Sequence, residues 1–403
     1  MKYVLLIGDG MGDRPLPELS GQTPLEAAPT PNLDFMAGHG TLGLARTVPP
    51  GMTPGSDVAI MSLMGYNPKG VLTGRGPLEA ASQGLVTGPE EFVFRLNLVT
   101  VREEGGHTVM GNHAAGNITT AEAGELVETL KKELPLDSGQ RLFPGVSYRH
   151  LMTWPEPRAE HFPSWPPHDY RDQVIDFILD DPTSRPLMDL VRASRAILED
   201  HPVNVRRKAA GLDLANAVWP WGQGLRPQIK TYQDRWGVTG ATVSAVDLIR
   251  GLGVCTGLET LIVPGATGWL DTNYQGKVEA ALKALERLDF VVIHLEAPDE
   301  ASHQGNLGEK LKAISDFDRL VVGPMLEALP RFGPFRVLAA CDHFTPLALK
   351  THTADPVPFV LYSQPGDEGQ KGGPAYNEFN AGATGLLVDP GAGLGHLLFG
   401  PEK

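Results

Sequence analysis

Apolar residues toward the two ends of the chain come in short unbroken runs that do not alternate with polar ones. Val4-Leu5-Leu6-Ile7 gives way to Gly8-Asp9. Phe290-Val291-Val292-Ile293 leads into His294-Leu295-Glu296-Ala297-Pro298-Asp299, and Val337-Leu338-Ala339-Ala340-Cys341 into Asp342-His343. Such runs suit strands buried on both faces, as in a parallel sheet covered by helices, and in these sheets ligands bind at the carboxyl ends of the strands. Residues 277–286 are rich in helix formers, carry Val278, Ala281, Leu282 and Leu285 at helical spacing, and lead directly into the second run. The pattern predicts a layered α/β domain that joins the start and the end of the chain.

The middle of the chain reads differently. From about residue 87 to 235 it carries Trp154, Trp165, Trp219 and Trp221, with Trp236 at its edge, and proline pairs such as Pro166-Pro167. Residues 92–101 are strand-like, and residues 121–134 read as a helix that Thr119 or Thr120 could cap. These signals predict a smaller inserted domain over residues 87–235, with residues 1–86 and 236–403 forming a discontinuous core domain. The tryptophans at 219 and 221 suit packing better than a substrate platform.

Composition narrows the partners. In 403 residues, 34 Lys and Arg face 48 Asp and Glu, for a formal charge of −14. That balance argues against nucleic acid or an anionic membrane surface as the main partner, since both need a dominant basic face. The two cysteines, Cys255 and Cys341, could form at most one disulfide, and a chain of this size does not depend on one. Only four strongly apolar residues follow Tyr3, short of a signal-peptide core, and no run approaches the ~18 apolar residues of a membrane span. The expected location is the cytoplasm. No pattern specifies an oligomeric state.

The chemistry gathers at the ends of the apolar runs. Asp9 follows the first; Asp299 and His303, spaced i, i+4, follow the second and share a face if a helix begins there; Asp342 and His343 follow the third, with His352 nine residues on. Carboxylates and imidazoles at three strand ends of one sheet are the ingredients of a two-metal site for phosphoryl chemistry. The donors suit Mn, Zn, Co or Mg to different degrees. Ser56, in Pro54-Gly55-Ser56-Asp57, falls where a helix would start, and a hydroxyl there can serve as a nucleophile if a metal ionises it. Taken singly, each has an ordinary alternative: Ser56 as a helix cap, Asp9-Gly10 as a strand-ending turn, Asp299 and His303 as a solvated helix face.

The order Asp9, Ser56, Asp299, His303, Asp342-His343, His352 resembles the alkaline phosphatase superfamily, and Thr30-Pro31-Asn32-Leu33-Asp34 is similar to its early helix signature. Within it, Ile7-Gly8-Asp9-Gly10, Gly74-Arg75-Gly76-Pro77, Phe94-Arg95-Leu96-Asn97, Ser147-Tyr148-Arg149-His150 and Trp219-Pro220-Trp221-Gly222-Gln223-Gly224 resemble the archaeal-type 2,3-bisphosphoglycerate-independent phosphoglycerate mutases. The resemblance implies an alkaline-phosphatase-like, mostly parallel sheet core with an inserted cap that closes over the substrate. It implies two divalent ions, Mn first among the candidates, one held by Asp299, His303 and His352 and the other by Asp9, Ser56, Asp342 and His343. It also implies interconversion of 3-phosphoglycerate and 2-phosphoglycerate through phosphoserine at Ser56. Arg95, Arg149, Arg206 and Arg207 are the candidates for holding the substrate's anionic groups. His113 is a further candidate and Asp57 a candidate for orienting Ser56. A phosphatase or phosphonate hydrolase, a phosphopentomutase-like enzyme, and a non-catalytic metal-binding protein are the competing readings.

Overall fold

The computed structural model describes residues 1–365 and 373–403. The chain divides into two compact units, one formed by residues 1–72 and 228–403 and the other by residues 73–227. Strands β1 (Lys2–Gly8) and β2 (Thr41–Ala45) open the first unit; β3 (Phe92–Glu104), β4 (His107–Asn112), β5 (Arg141–Phe143), β6 (Arg149–Trp154) and β7 (Ala217–Gly224) belong to the second. The chain then returns to the first unit through β8 (Gly240–Val243), β9 (Glu259–Leu261), β10 (Phe290–Leu295), β11 (Phe335–Ala340), β12 (Val357–Gln364) and β13 (Leu387–Val388).

The first unit is an eight-stranded sheet in the order β13-β2-β12-β11-β1-β10-β8-β9. Its centre is parallel: β1 lies between β10 and β11, with Ile7 in register with His294 on one side and Ala340 on the other. Only β12 runs against its neighbours β11 and β2. The three apolar runs are these central strands. Val4 to Ile7, Val291 to Ile293 and Val337 to Ala340 are fully buried, which is what helices on both faces of a parallel sheet require. Because the three strands are parallel and in register, the residues just past each end fall side by side. Asp9, Asp299 and Asp342, far apart in sequence, are thereby collected at one sheet edge.

The second unit is a five-stranded antiparallel sheet in which the long β3 pairs with β4, β6 and β7. Its core includes Phe94, Met110, Leu126, Met152, Val191 and Trp219. The helix Thr120–Glu133 covers this core, and Thr119 caps it through a reciprocal pair with Glu122. Residues 76–82 form a short helix whose first residue, Gly76, packs so close to β3 that a Cβ would lie 2.3 Å from the Val93 carbonyl oxygen. The unit therefore begins before β3, at Thr73, and ends at Pro227. Among the described residues, no helix is long and apolar enough to cross a membrane.

Candidate active site

The site is built from strand ends. β1 stops at Gly8, and Asp9 stands just beyond it, 2 % exposed. Its Oδ2 lies 2.9 Å from Nε2 of His294, whose Nδ1 is 3.0 Å from the Ser244 hydroxyl. With Asp9 as the acceptor, the neutral ring carries its proton on Nε2, and Nδ1 accepts from the Ser244 hydroxyl, whose oxygen also accepts from the Val246 amide. Burial, reinforced by Lys277, pushes His294 down to about 3, which keeps the imidazole neutral. Burial also raises the Asp9 carboxyl well above its usual range, with the charges of Asp342, Asp299 and Glu296 adding to the effect.

After β11, Asp342 and His343 are fully buried. Asp342 Oδ1 accepts from the Gly10 and His343 amides, which ties the β1 turn to the β11 turn. His343 Nε2 points into a gap between Ser56 Oγ at 3.2 Å, Asp342 Oδ2 at 3.2 Å and Asp9 Oδ1 at 3.5 Å. Ser56 is the first residue of the helix Ser56–Leu63, whose cap position is taken by Gly55, and no side chain caps it. The serine side chain therefore turns into the gap, as a simple capping serine would not. Asp57, behind it, accepts from the Val58 amide.

The helix Ala297–Gln304 starts directly after β10, so Asp299 and His303 share a face and meet, Oδ2 to Nε2, at 3.0 Å. His352 joins them, its Nε2 3.0 Å from His303 Nε2 and 3.4 Å from Asp299 Oδ1. His303 Nδ1 faces the Lys350 carbonyl at 2.9 Å, which fixes Nε2 as the inward nitrogen. Burial works against the Asp299 carboxylate, but His303 and His352 outweigh it and hold the group well below the usual range. His303 is raised to about 9, chiefly by its hydrogen bond to Asp299.

These groups can hold metal ions. Asp9, Asp342 and His343 offer ligand atoms within 4.8 Å of one another, and so do Asp299, His343 and His352. Among the described residues, the buried Asp9 Oδ1 and Asp342 Oδ2 accept no hydrogen bond, although each is an acceptor by nature. Crowded carboxylates with unused lone pairs, beside an imidazole nitrogen and a serine oxygen, are a mixed O/N donor set that fits a divalent cation.

Comparison with known proteins bears on what such a site does. A family model described as 2,3-bisphosphoglycerate-independent phosphoglycerate mutase matches residues 37–204. A protein of Geobacter sulfurreducens named as a probable 2,3-bisphosphoglycerate-independent phosphoglycerate mutase is 48% identical over 99% of both chains. The chain belongs to this mutase family. A Methanothrix thermoacetophila mutase of the same name is 49% identical over 90% of each chain. Among solved structures, a Pyrococcus horikoshii protein matches with a TM-score of 0.82 at 29% identity, covering 98% of this chain and 96% of that one. A cofactor-independent phosphoglycerate mutase from Thermoplasma acidophilum matches with a TM-score of 0.63 at 28% identity over 99% of each. The mutase family thus accounts for the α/β core and the inserted unit together.

The arginines named from the sequence of this mutase-family chain divide in two. Within the second unit, Arg95 is mostly buried, pairs with Glu79 at 3.0 Å and stacks over Trp221 at 4.3 Å. Burial pulls its guanidinium below the ordinary value, Glu79 opposes this, and the Arg75 and Arg149 charges add to it. Among the described residues the Arg149 side chain has no ion-pair partner. The rings of His113, His168, Tyr148 and Trp221 lie in a chain of edge contacts beside this group. Arg206 and Arg207 are instead committed elsewhere. Arg206 pairs with Glu125 at the surface, while the buried Arg207 bonds Glu122 and the carbonyls of Asp213 and Ala115, which uses its fork in holding the helix Pro202–Ala209 in place. The sequence reading passed over His294, Ser244, Thr345 and Lys310. His294 carried a visible signal, since it ends the second apolar run; the other three lie among unremarkable neighbours.

Proposed function

We propose that the chain interconverts 3-phosphoglycerate and 2-phosphoglycerate in the cytoplasm without 2,3-bisphosphoglycerate, through a phosphoserine at Ser56. The observation that carries this is the serine itself. It starts a helix without capping it and turns its Oγ to within 3.2 Å of His343, beside two carboxylates with unused oxygens, in a chain of the mutase family. Asp9, Ser56, Asp342 and His343 would hold one divalent ion and Asp299, His303 and His352 the other, with Mn first among Mn, Zn, Co and Mg. When bound, the ions neutralise phosphoryl charge and favour the ionised serine oxygen.

The chain's own groups do the rest. Ser56 Oγ forms a bond to phosphorus as the bond from phosphorus to the glycerate oxygen breaks, and that oxygen takes a proton. The other glycerate hydroxyl then bonds to phosphorus, loses its proton, and releases Ser56. The positive end of the helix Ser56–Leu63 favours the phosphoryl charge at its first residue. Arg95 and Arg149 are the groups for the anionic ends of the substrate, because the buried Arg95 guanidinium, with the Arg75 and Arg149 charges nearby, gains from an anion. The buried Arg207 has each nitrogen of its fork bonded within the fold, which argues against it as a substrate group, while Arg206, like Arg95, has one carboxylate partner.

The test is an enolase-coupled assay of Mn-loaded protein with 3-phosphoglycerate, no 2,3-bisphosphoglycerate, and free phosphate monitored throughout. Isomerisation without phosphate release is expected, and Ser56→Ala should reduce it by about 10³-fold or more. Phosphate release without isomerisation would make the same serine site a hydrolase, and a normal rate in Ser56→Ala would overturn the phosphoserine.

A further inference from the structure

His343 belongs by distance to both metal-capable groups, yet it has one ring and two nitrogens. Nε2 faces Ser56, Asp9 and Asp342, and Nδ1 lies 3.2 Å from the Thr345 hydroxyl. That hydroxyl is also 2.5 Å from Asp299 Oδ1, in the other group. Thr345 is fully buried and held at its backbone on both sides: its amide donates to the Gly12 carbonyl at 3.1 Å and its carbonyl accepts from the Lys310 ammonium at 3.0 Å. Lys310 in turn pairs with Asp13 at 2.8 Å, and Asp13 accepts from the Leu347 amide, so the loop after β1 and the loop after β11 share one buried cation.

The proton count is forced. A threonine hydroxyl has one proton, and a carboxylate can only accept, so the proton goes to Asp299 Oδ1. The oxygen is then left as an acceptor toward His343, which must carry its proton on Nδ1. Nε2 is thereby the nitrogen with a free lone pair. We infer that Thr345 is a positioning residue: the chain His343 Nδ1–H to Thr345 Oγ1–H to Asp299 Oδ1 assigns His343 to the Asp9 group, orients Asp299 in the other, and couples the two. It rests on the metal-binding reading proposed above, but on none of its phosphoryl chemistry. His303, whose Nδ1 goes to the Lys350 carbonyl, solves the same problem with a backbone acceptor and couples nothing. A mutated partner of this kind usually costs a metal site 10–100-fold in affinity.

The experiment uses the full chain stripped of metal. Titration with Mn²⁺ by calorimetry should show Thr345→Val weakening both ions by about 10-fold or more, and Thr345→Ser, which keeps the hydroxyl, staying within about threefold of the parent protein. Affinities in Thr345→Val within about threefold for both ions, or a loss confined to one ion, would overturn the coupling. The second readout is the histidine tautomer itself. ¹⁵N-histidine labelling of the Zn²⁺-loaded protein should show slowly exchanging Nδ1–H protons for both His303 and His343. In Thr345→Val the His343 signal should be lost while that of His303 remains, which also reports that the site has folded. An Nε2–H tautomer for His343 in the parent protein would overturn the inference. Metal affinities that depend on Thr345 in a protein without mutase activity would count against the proposed reaction and for this one.

Discussion

At the scale of the residue, a role is decided by what the far side of the side chain touches. Ser56 and Arg207 are both residues that the sequence offers as candidates for the site. The serine is free of its helix and faces an imidazole, whereas the arginine's donors are taken up by a carboxylate and two carbonyls. Placement after apolar runs singled out Asp9, Asp299, His303, Asp342 and His343, and their order with His352, which resembles a known superfamily, set them above the ordinary alternatives each has alone; the structure brings these side chains together at the strand ends. Placement and order were not enough for Thr345, whose importance comes from contacts 46 residues away that no local pattern encodes. A buried histidine in the second unit gives a prediction at this scale. His150, on β6, accepts from the Gly145 amide at Nδ1, its Nε2 has no partner among the described residues, and burial lowers it to about 4. The folded chain refuses a proton that the unfolded chain takes near pH 6.5, so this residue's contribution is intact above pH 6.5 and is lost as pH falls toward 4. By pH 5 the loss is about 2 kcal/mol. His150→Asn, which keeps an acceptor for Gly145, should therefore lose about that much less stability than the parent between pH 7.5 and pH 5 in urea unfolding. Equal losses in both proteins would contradict the assignment.

At the scale of the element, the site depends on how strands end. The helix after β10 begins at once, and that alone converts the spacing of Asp299 and His303 into a shared face. β1 is not followed at once by a helix. It turns instead through Gly10, at φ +63°, where a Cβ would lie 2.6 Å from Asp299 Oδ1 and 2.7 Å from its Cα. Read alone, Asp9-Gly10 is an ordinary turn; the need for glycine comes from a helix almost 290 residues later. Gly10→Ala combines a left-handed backbone with a clash against main chain, which nothing flexible can absorb. It should destabilise the protein by more than the ~1–2 kcal/mol of the left-handed backbone alone and displace Asp299. Metal titration should then show weakened binding at the Asp299 group, and unchanged affinity there would show that the turn has room to shift. The limits of the second unit were harder to read for a related reason. Gly74-Arg75-Gly76-Pro77 brings no change in composition, and what ties it to β3 is a backbone approach that only a glycine permits.

At the scale of the whole molecule, the excess of 48 acids over 34 basic residues means that a divalent ion can be attracted to many places on the surface. What sets the sheet edge apart is burial: Asp9 and Asp342 are 2 % and 0 % exposed and offer oxygens that no hydrogen bond satisfies. Exposed acids gain little from a counter-ion in salt, while a buried pair gains much. Metal binding should therefore stabilise locally, by the linkage of ligand to the ordered state, and at 100 times the dissociation constant the gain is about 2.7 kcal/mol. Hydrogen exchange resolves this along the chain. Mn²⁺ added to chelator-treated protein should slow exchange by up to about 100-fold in residues 9–13, 56–60, 296–303 and 341–353, where opening must release the ion. The amides of β3, β6 and β7, which carry none of these ligands, should be unaffected. Asp9→Asn should abolish the protection around residues 9–13 and 341–345 while leaving any weak, general effect of the cation in place. Protection spread evenly over both units, and unchanged by Asp9→Asn, would mean that the ion acts through surface charge and that the buried edge is not its site.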